Sequence, residues 1–186
     1  MPVQSLDHGS RRLSGGGGFT LLELVAVMVV VGIIAGTAVV SLSSTSGKRS
    51  AMAARQLHRD MTFARQRAVA TGTRSWLDFE TTAGAWTVRV ENPPPAAGRG
   101  TAPVLTDPAT GGEFVQAMNT GTFIGVTMTI IDFDSEDWIG FDWLGRPLDK
   151  TGEATPFAAD GSVTFSGGEK VTVDKDTGHI AFVPAP

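Results

Sequence analysis

Residues 19–40 form an almost unbroken apolar run, FTLLELVAVMVVVGIIAGTAVV, entered through four glycines and interrupted by one carboxylate, Glu23. From 24 to 40 there are 17 residues without a charge. An α-helix of about 20 such residues, at about 1.5 Å rise each, spans a hydrocarbon layer about 30 Å thick. In lipid every backbone N–H and C=O must bond within the protein, so the run predicts a transmembrane helix in spite of its β-branched valines. A secretory signal peptide has a shorter apolar core with small residues after it. Here the glycines come first.

Glu23 needs a reason. A carboxylate within a bilayer costs about 2.5–3.5 kcal/mol even on lenient insertion scales. Two readings are open from the residues. Either Glu23 lies near the helix start and reaches the headgroups, or the chain is cut just before Phe19. The cut would free a positive amine four residues from the carboxylate.

Gly18-Phe19-Thr20-Leu21-Leu22-Glu23, directly before an apolar helix, resembles the processing signature of type IV prepilins and type II secretion pseudopilins. The resemblance implies that a membrane-embedded prepilin peptidase cuts between Gly18 and Phe19 and methylates the new amino terminus on Phe19. It implies a role for Glu23 in assembly, neutralising the terminal amine of a neighbouring filament subunit. Two opposite charges attract strongly at low dielectric, whereas either alone carries a desolvation penalty. The proline that many pilins carry a few residues after the glutamate is absent from this helix.

The resemblance divides the chain into a leader (1–18), a transmembrane and filament-core helix (19–40), an amphipathic continuation (41–70) and a periplasmic β-rich globule (71–186). Lys48, Arg49, Arg55 and Arg59 follow the helix and two arginines precede it, so counting alone would put the globule in the cytoplasm. The cleavage signature is the more specific signal. It implies a single-pass protein of the bacterial inner membrane with its C-terminal domain in the periplasm.

Beyond a polar stretch, SLSSTSGKRS at 41–50, which predicts a loop or a loosened helix, the period is helical. Ala54, Leu57, Met61, Ala64 and Ala68 make a narrow apolar stripe, and Gly72 ends it. From residue 74 the period becomes two. RSWLDFE and AWTVRVE predict a hairpin, the Pro- and Gly-rich 91–113 a long loop, and strands are expected near 123–133, 138–142, 162–166, 169–174 and 179–183. The last two form a hairpin in which Gly178 supplies a positive φ. The expected fold class is α+β, a long pilin-like hydrophobic N-terminal helix packed on a C-terminal antiparallel β-sheet domain. LHRDMTFARQRAVATGTRSWLDF, IGFDWLGRP and DTGHIAF are similar to segments of the pseudopilin H/FimT group of minor subunits.

Charge separates the competing functions. Residues 48–67 carry six bases against the single acid Asp60, a balance of +5, and residues 71–186 carry 16 acids and 7 bases, a balance of −9. A DNA-binding minor pilin of a type IV pilus, the alternative reading, needs accessible Lys and Arg, so no nucleic-acid partner is expected. No cysteine is present, which excludes disulfides and thiolate metal sites. Asp132, Asp134, Glu136 and Asp137 have acid spacing but lack the glycine and distal glutamate of a calcium loop, and a solvated loop is expected. His58 and His179 have no nucleophile elbow or zinc motif beside them, and both are expected to be structural. The four tryptophans are expected in the core or on sheet faces. No catalytic residue, metal or cofactor is expected. The partners that the resemblance implies are other pseudopilins or pilins in a filament, the prepilin peptidase and the inner membrane. The function it implies is that of a non-enzymatic minor pseudopilin, a structural subunit of the type II secretion pseudopilus that helps export folded proteins.

Overall fold

The structure, a computed structural model, describes residues 20–91, 98–118, 120–148 and 159–186, without the side chains of 36–45. One helix, α1 (Leu21–Thr71), is followed by strands β1 (Ser75–Glu80), β2 (Ala85–Val90), β3 (Val115–Ala117), β4 (Met128–Asp132), β5 (Trp138–Phe141), β6 (Pro147–Leu148), β7 (Gly161–Phe165), β8 (Lys170–Val173) and β9 (Ile180–Val183). The chain divides into two compact units at Ser41/Leu42. Among the described residues no helix is long and apolar enough to cross a membrane. The run expected to do so is only partly among them, since Phe19 and the side chains of 36–40 fall outside. The polar stretch at 41–50 is helical throughout.

In the unit Leu42–Pro186 the expected stripe is the docking face of the helix. Ala54, Leu57, Met61, Ala64 and Ala68 are all fully buried, and Ala53 joins them. Alanines at three of the stripe's five positions keep the helix surface flat, so a sheet can approach closely. Leu57 and Met61 supply most of the stripe's apolar area, at about 1.5–3 kcal/mol each for full burial. Gly72, at φ +66, ends the helix in the left-handed region.

Two antiparallel sheets receive that face. Among the described residues one has the order β3-β2-β1-β5-β6 and the other β4-β7-β8-β9. β1 and β2 pair from Ser75↔Val90 to Glu80↔Ala85, the hairpin expected from the alternation. Leu77, Phe79, Trp86, Val88, Ile139 and Phe141 of the first sheet share one core with the stripe and with Val163, Phe165, Val171 and Val173 of the second. The outer face of the first sheet holds a smaller cluster of Trp76, Trp138, Ala102 and Leu148. The Trp76 indole lies across Gly140, where a Cβ would meet it at 2.6 Å.

The described part of the 91–113 segment, residues 91 and 98–113, is more than a loop. It holds a 3-10 turn at Arg99–Thr101 and bridges Arg89↔Val104 and Thr106↔Glu113. Arg89 and Arg99 both reach Asp78, at 2.6 and 2.8 Å, and Arg99 also lies over the Trp138 ring. Strand was expected from 123, but a 3-10 turn occupies Gly121–Phe123 and β4 begins at Met128.

Candidate functional site

Gly18 and Phe19, the expected cleavage bond and methylation site, lie outside the described residues. Glu23 is described: it is exposed in the first turn of α1. Thr20 caps that turn, its Oγ1 accepting from Glu23 N at 3.2 Å and its carbonyl from Leu24 N at 3.1 Å. Thr-x-x-Glu is the sequence of a capping box, a local signal for a helix start at Thr20. A carboxylate here also faces the positive end of the helix dipole. Glu23 is therefore compatible with the helix start on local grounds alone.

The acidic segment is a tight turn. Asp134 and Ser135 both have positive φ, +56 and +69, and Glu136 N donates to Phe133 O at 3.1 Å, the pattern of a type I′ turn. Through it the chain crosses from β4 in one sheet to β5 in the other. Glu136 accepts from Trp138 Nε1 at 3.1 Å, while Asp132, Asp134 and Asp137 are exposed. Among the described residues no three His, Asp or Glu come together as a metal ion requires.

His58 and His179, 121 positions apart, meet in one open groove of about 210 Å³, lined also by Thr62, Arg65 and Ile180. Arg65 builds its rim. Its Nε donates to Gly145 O at 2.8 Å and its Nη2 to Thr177 O at 3.1 Å, so one guanidinium holds the β5–β6 turn and the β8–β9 turn together. Those turns belong to IGFDWLGRP and DTGHIAF, two of the segments singled out in the sequence. Asp174 shapes the second turn by accepting from Thr177 Oγ1, Thr177 N and Asp176 N. The hydroxyl and amide of Thr177 hold its carboxyl below the ordinary value.

Three of the four other helix arginines also contact their own chain. Arg49 donates to Ile124 O, Arg55 lies over the Phe182 ring at 5.3 Å, and Arg59 donates to Gln56. Ser50, buried in the same helix, donates to Glu169 and accepts from Gly167 N.

Asp60 was not anticipated as anything more than the lone acid of a basic stretch. It is 4% exposed, and its carboxylate accepts from Trp86 Nε1 at 2.9 Å and Gln56 Nε2 at 2.8 Å. Burial raises its pKa from 3.8 to about 6, against the opposing pull of those two hydrogen bonds and Arg59. The raised value means the folded state holds this proton more tightly than the unfolded chain. The group's contribution is fully present below pH about 4 and is lost as pH rises through about 6, a change on the order of 3 kcal/mol. Denaturant titrations of wild type and Asp60→Asn at pH 4.5 and 7 should show a smaller pH dependence in the variant. The gain at pH 7 should fall short of that figure. Arg59 fixes the Gln56 amide, so the new Asn NH2 would face another donor.

With this geometry in hand, two solved structures of the minor pseudopilin EpsH from the type 2 secretion system of Vibrio cholerae prove similar to the chain. The TM-scores are 0.50 and 0.52, with 10% identity in each case. The matches cover 73% and 75% of this chain and 97% of the EpsH chains. The fold is that of a minor pseudopilin. No family model matches the sequence, and no curated protein matches it. At 10% identity the likeness lies in the course of the backbone, an N-terminal helix packed on antiparallel sheets. The fold is that of the pilin-like group that the sequence resembles.

Proposed function

We propose that the chain is a minor pseudopilin, a non-enzymatic structural subunit of a type II secretion pseudopilus that helps move folded proteins across the outer membrane. One observation carries this reading: a minor-pseudopilin fold is preceded by Gly18-Phe19-Thr20-Leu21-Leu22-Glu23 and an apolar helix. In this reading residues 1–18 are a leader removed by a prepilin peptidase, and Phe19 becomes a methylated amino terminus. Residues 19–40 anchor the subunit in the inner membrane until a filament takes it up. The globule stands in the periplasm, and Glu23 meets the amine of an adjacent subunit. The balance of −9 over residues 71–186 favours this over DNA uptake.

Co-expression with a prepilin peptidase should shorten the chain by 18 residues, and Gly18→Ala should slow that step. Intact-mass spectrometry reads it directly. A retained Met1 in peptidase-positive cells would overturn the assignment.

A further inference from the structure

The second sheet carries its charges at opposite ends. The chain enters the unit Leu42–Pro186 beside the β7–β8 turn, where Ser50 bonds to Glu169 and to Gly167 N. Arg49 donates to Ile124 O in the turn before β4, and a Cβ on Gly168 would meet Ala185 Cβ at 3.4 Å. This end therefore gathers residues 46–50, the turns 121–125 and 166–169, and the close of β9. Lys48 and Lys170 are exposed there, and neither forms an ion pair among the described residues. Arg49 spends one of its N–H groups on Ile124 and keeps the others. Glu169 is buried against Ser50, so the terminal carboxylate at Pro186 is the one exposed negative group facing these bases. At the other end β4 closes on Asp132, opposite Ser162 of β7, and β8 closes on Val173, opposite Ile180 of β9. Asp132, Asp134, Asp160 and Asp176 are exposed in the turns there, and Asp174 is half-buried. Lys175, the one Lys or Arg in those described turns, pairs with Asp176 at 3.2 Å.

Apolar side chains are exposed among the bases. Ile124, Met52 and Val183 stand 54%, 44% and 43% exposed. Val183 is the cross-strand partner of Lys170, on the face turned away from the core. Cations interleaved with aliphatic groups suit the headgroup layer of an anionic bilayer. Long basic side chains reach phosphate there while apolar ones sink below it. The connection to the apolar run is short. From Val40 to Lys48 is eight residues, about 12 Å as a helix and at most about 28 Å extended.

We propose that in the unassembled subunit this end of the globule lies on the membrane surface, Lys48, Arg49 and Lys170 on the phosphates of anionic lipids and Ile124 and Met52 in the interface. The inference rests on the reading of residues 19–40 as a membrane anchor and deepens it. The same lipids repel the carboxylate end, so the separation of charge turns the globule one way. Lys48 and Arg49, which on a count oppose a periplasmic globule, have a lipid partner on that side.

The chain has no cysteine, so Thr122→Cys or Asp176→Cys places a single fluorescent label at either end of the full-length protein. Quenching of the label by headgroup-labelled lipid is read in vesicles of phosphatidylcholine alone and of phosphatidylcholine mixed with phosphatidylglycerol. At 122 quenching should rise with the anionic lipid, and at 176 it should stay low in both. Each base near an anionic surface strengthens binding about fivefold, so Lys48→Gln with Lys170→Gln should lower the docked-to-free ratio at least tenfold. High salt should act in the same direction, since exposed charges are screened. The comparison of lipids needs no charge variant, so it stands even if the lysine variants are unstable. Equal quenching at 122 in the two kinds of vesicle, quenching at 176 as strong as at 122, or indifference to the lysines would each overturn the proposal. Resistance to alkaline extraction scores the anchor separately. If the chain resists extraction while quenching at 122 ignores the lipid, this contact falls and the anchor reading stands. If the chain is extracted, the anchor reading falls with it.

Discussion

Glu23→Ala is expected to leave the chain inserted and cleaved but to remove it from filaments. Insertion should persist because the substitution takes a costly charge out of the apolar run. Cleavage should persist because the peptidase signature centres on Gly18 and Phe19. Assembly should fail because the terminal amine of the adjacent subunit is left buried without its partner. Breaking such a pair costs about 3–5 kcal/mol, or about a hundredfold to a few thousandfold in association. The structure sharpens the contrast with a purely local role. The Thr20 cap uses the backbone N–H of residue 23, which alanine retains, so helix initiation should change by only a few tenths of a kcal/mol, the dipole contribution of one exposed carboxylate. Crosslinking to partner pseudopilins, compared at equal membrane levels, separates the two. Undiminished crosslinking in the alanine variant would retire the pairing role.

Gly178→Ala should be strongly destabilising in the globule, because strain and a backbone clash coincide there. Gly178 sits at φ +66, and a Cβ there would meet Gly145 O at 2.4 Å, with Pro147 Cδ at 3.3 Å and Arg65 Nε at 3.4 Å behind it. The obstacle is backbone, so no rotamer change relieves it. The two turns must separate, which pulls both carbonyls away from Arg65. Left-handed strain of about 1–2 kcal/mol plus overpacking of about 1–3 kcal/mol gives a loss on the order of 3 kcal/mol. For a domain of this size that lowers Tm by roughly 6–12 °C. Gly111→Ala is the control. Gly111 has φ +74 with nothing within 4 Å of a Cβ, so only the strain should remain. Equal losses in the two variants would show that the close approach of the turns contributes nothing.

Gly18, Phe19 and Glu23 were proposed as a site from a local motif, the kind of signal a linear reading sees, and Gly18 and Phe19 lie outside the described residues. The helix stripe from Ala54 to Ala68 was legible for a related reason. A helix that buries one face must repeat at three and four residues, and all five predicted positions are fully buried. Alternation likewise located the β1–β2 hairpin, and the positive φ of Gly178 followed from the turn that needed it. β3 and β6 went unseen because strands of three and two residues are too short to show a period.

What the tertiary structure alone decided is the pairing of distant groups. Asp60 meets Trp86, His58 shares a groove with His179, and Arg65 reaches carbonyls 80 and 112 positions away. None of these has a local signature. A helical arginine that clamps two turns has the same neighbours in sequence as one that faces water. Trp143 shows the converse, an apolar residue left in solvent because the buried carboxylate of Asp142 dictates the turn that carries it. Periodicity reports which face of an element is buried, because burial is a property of each element. Which groups then face one another depends on strand order and loop closure, and these are properties of the whole chain.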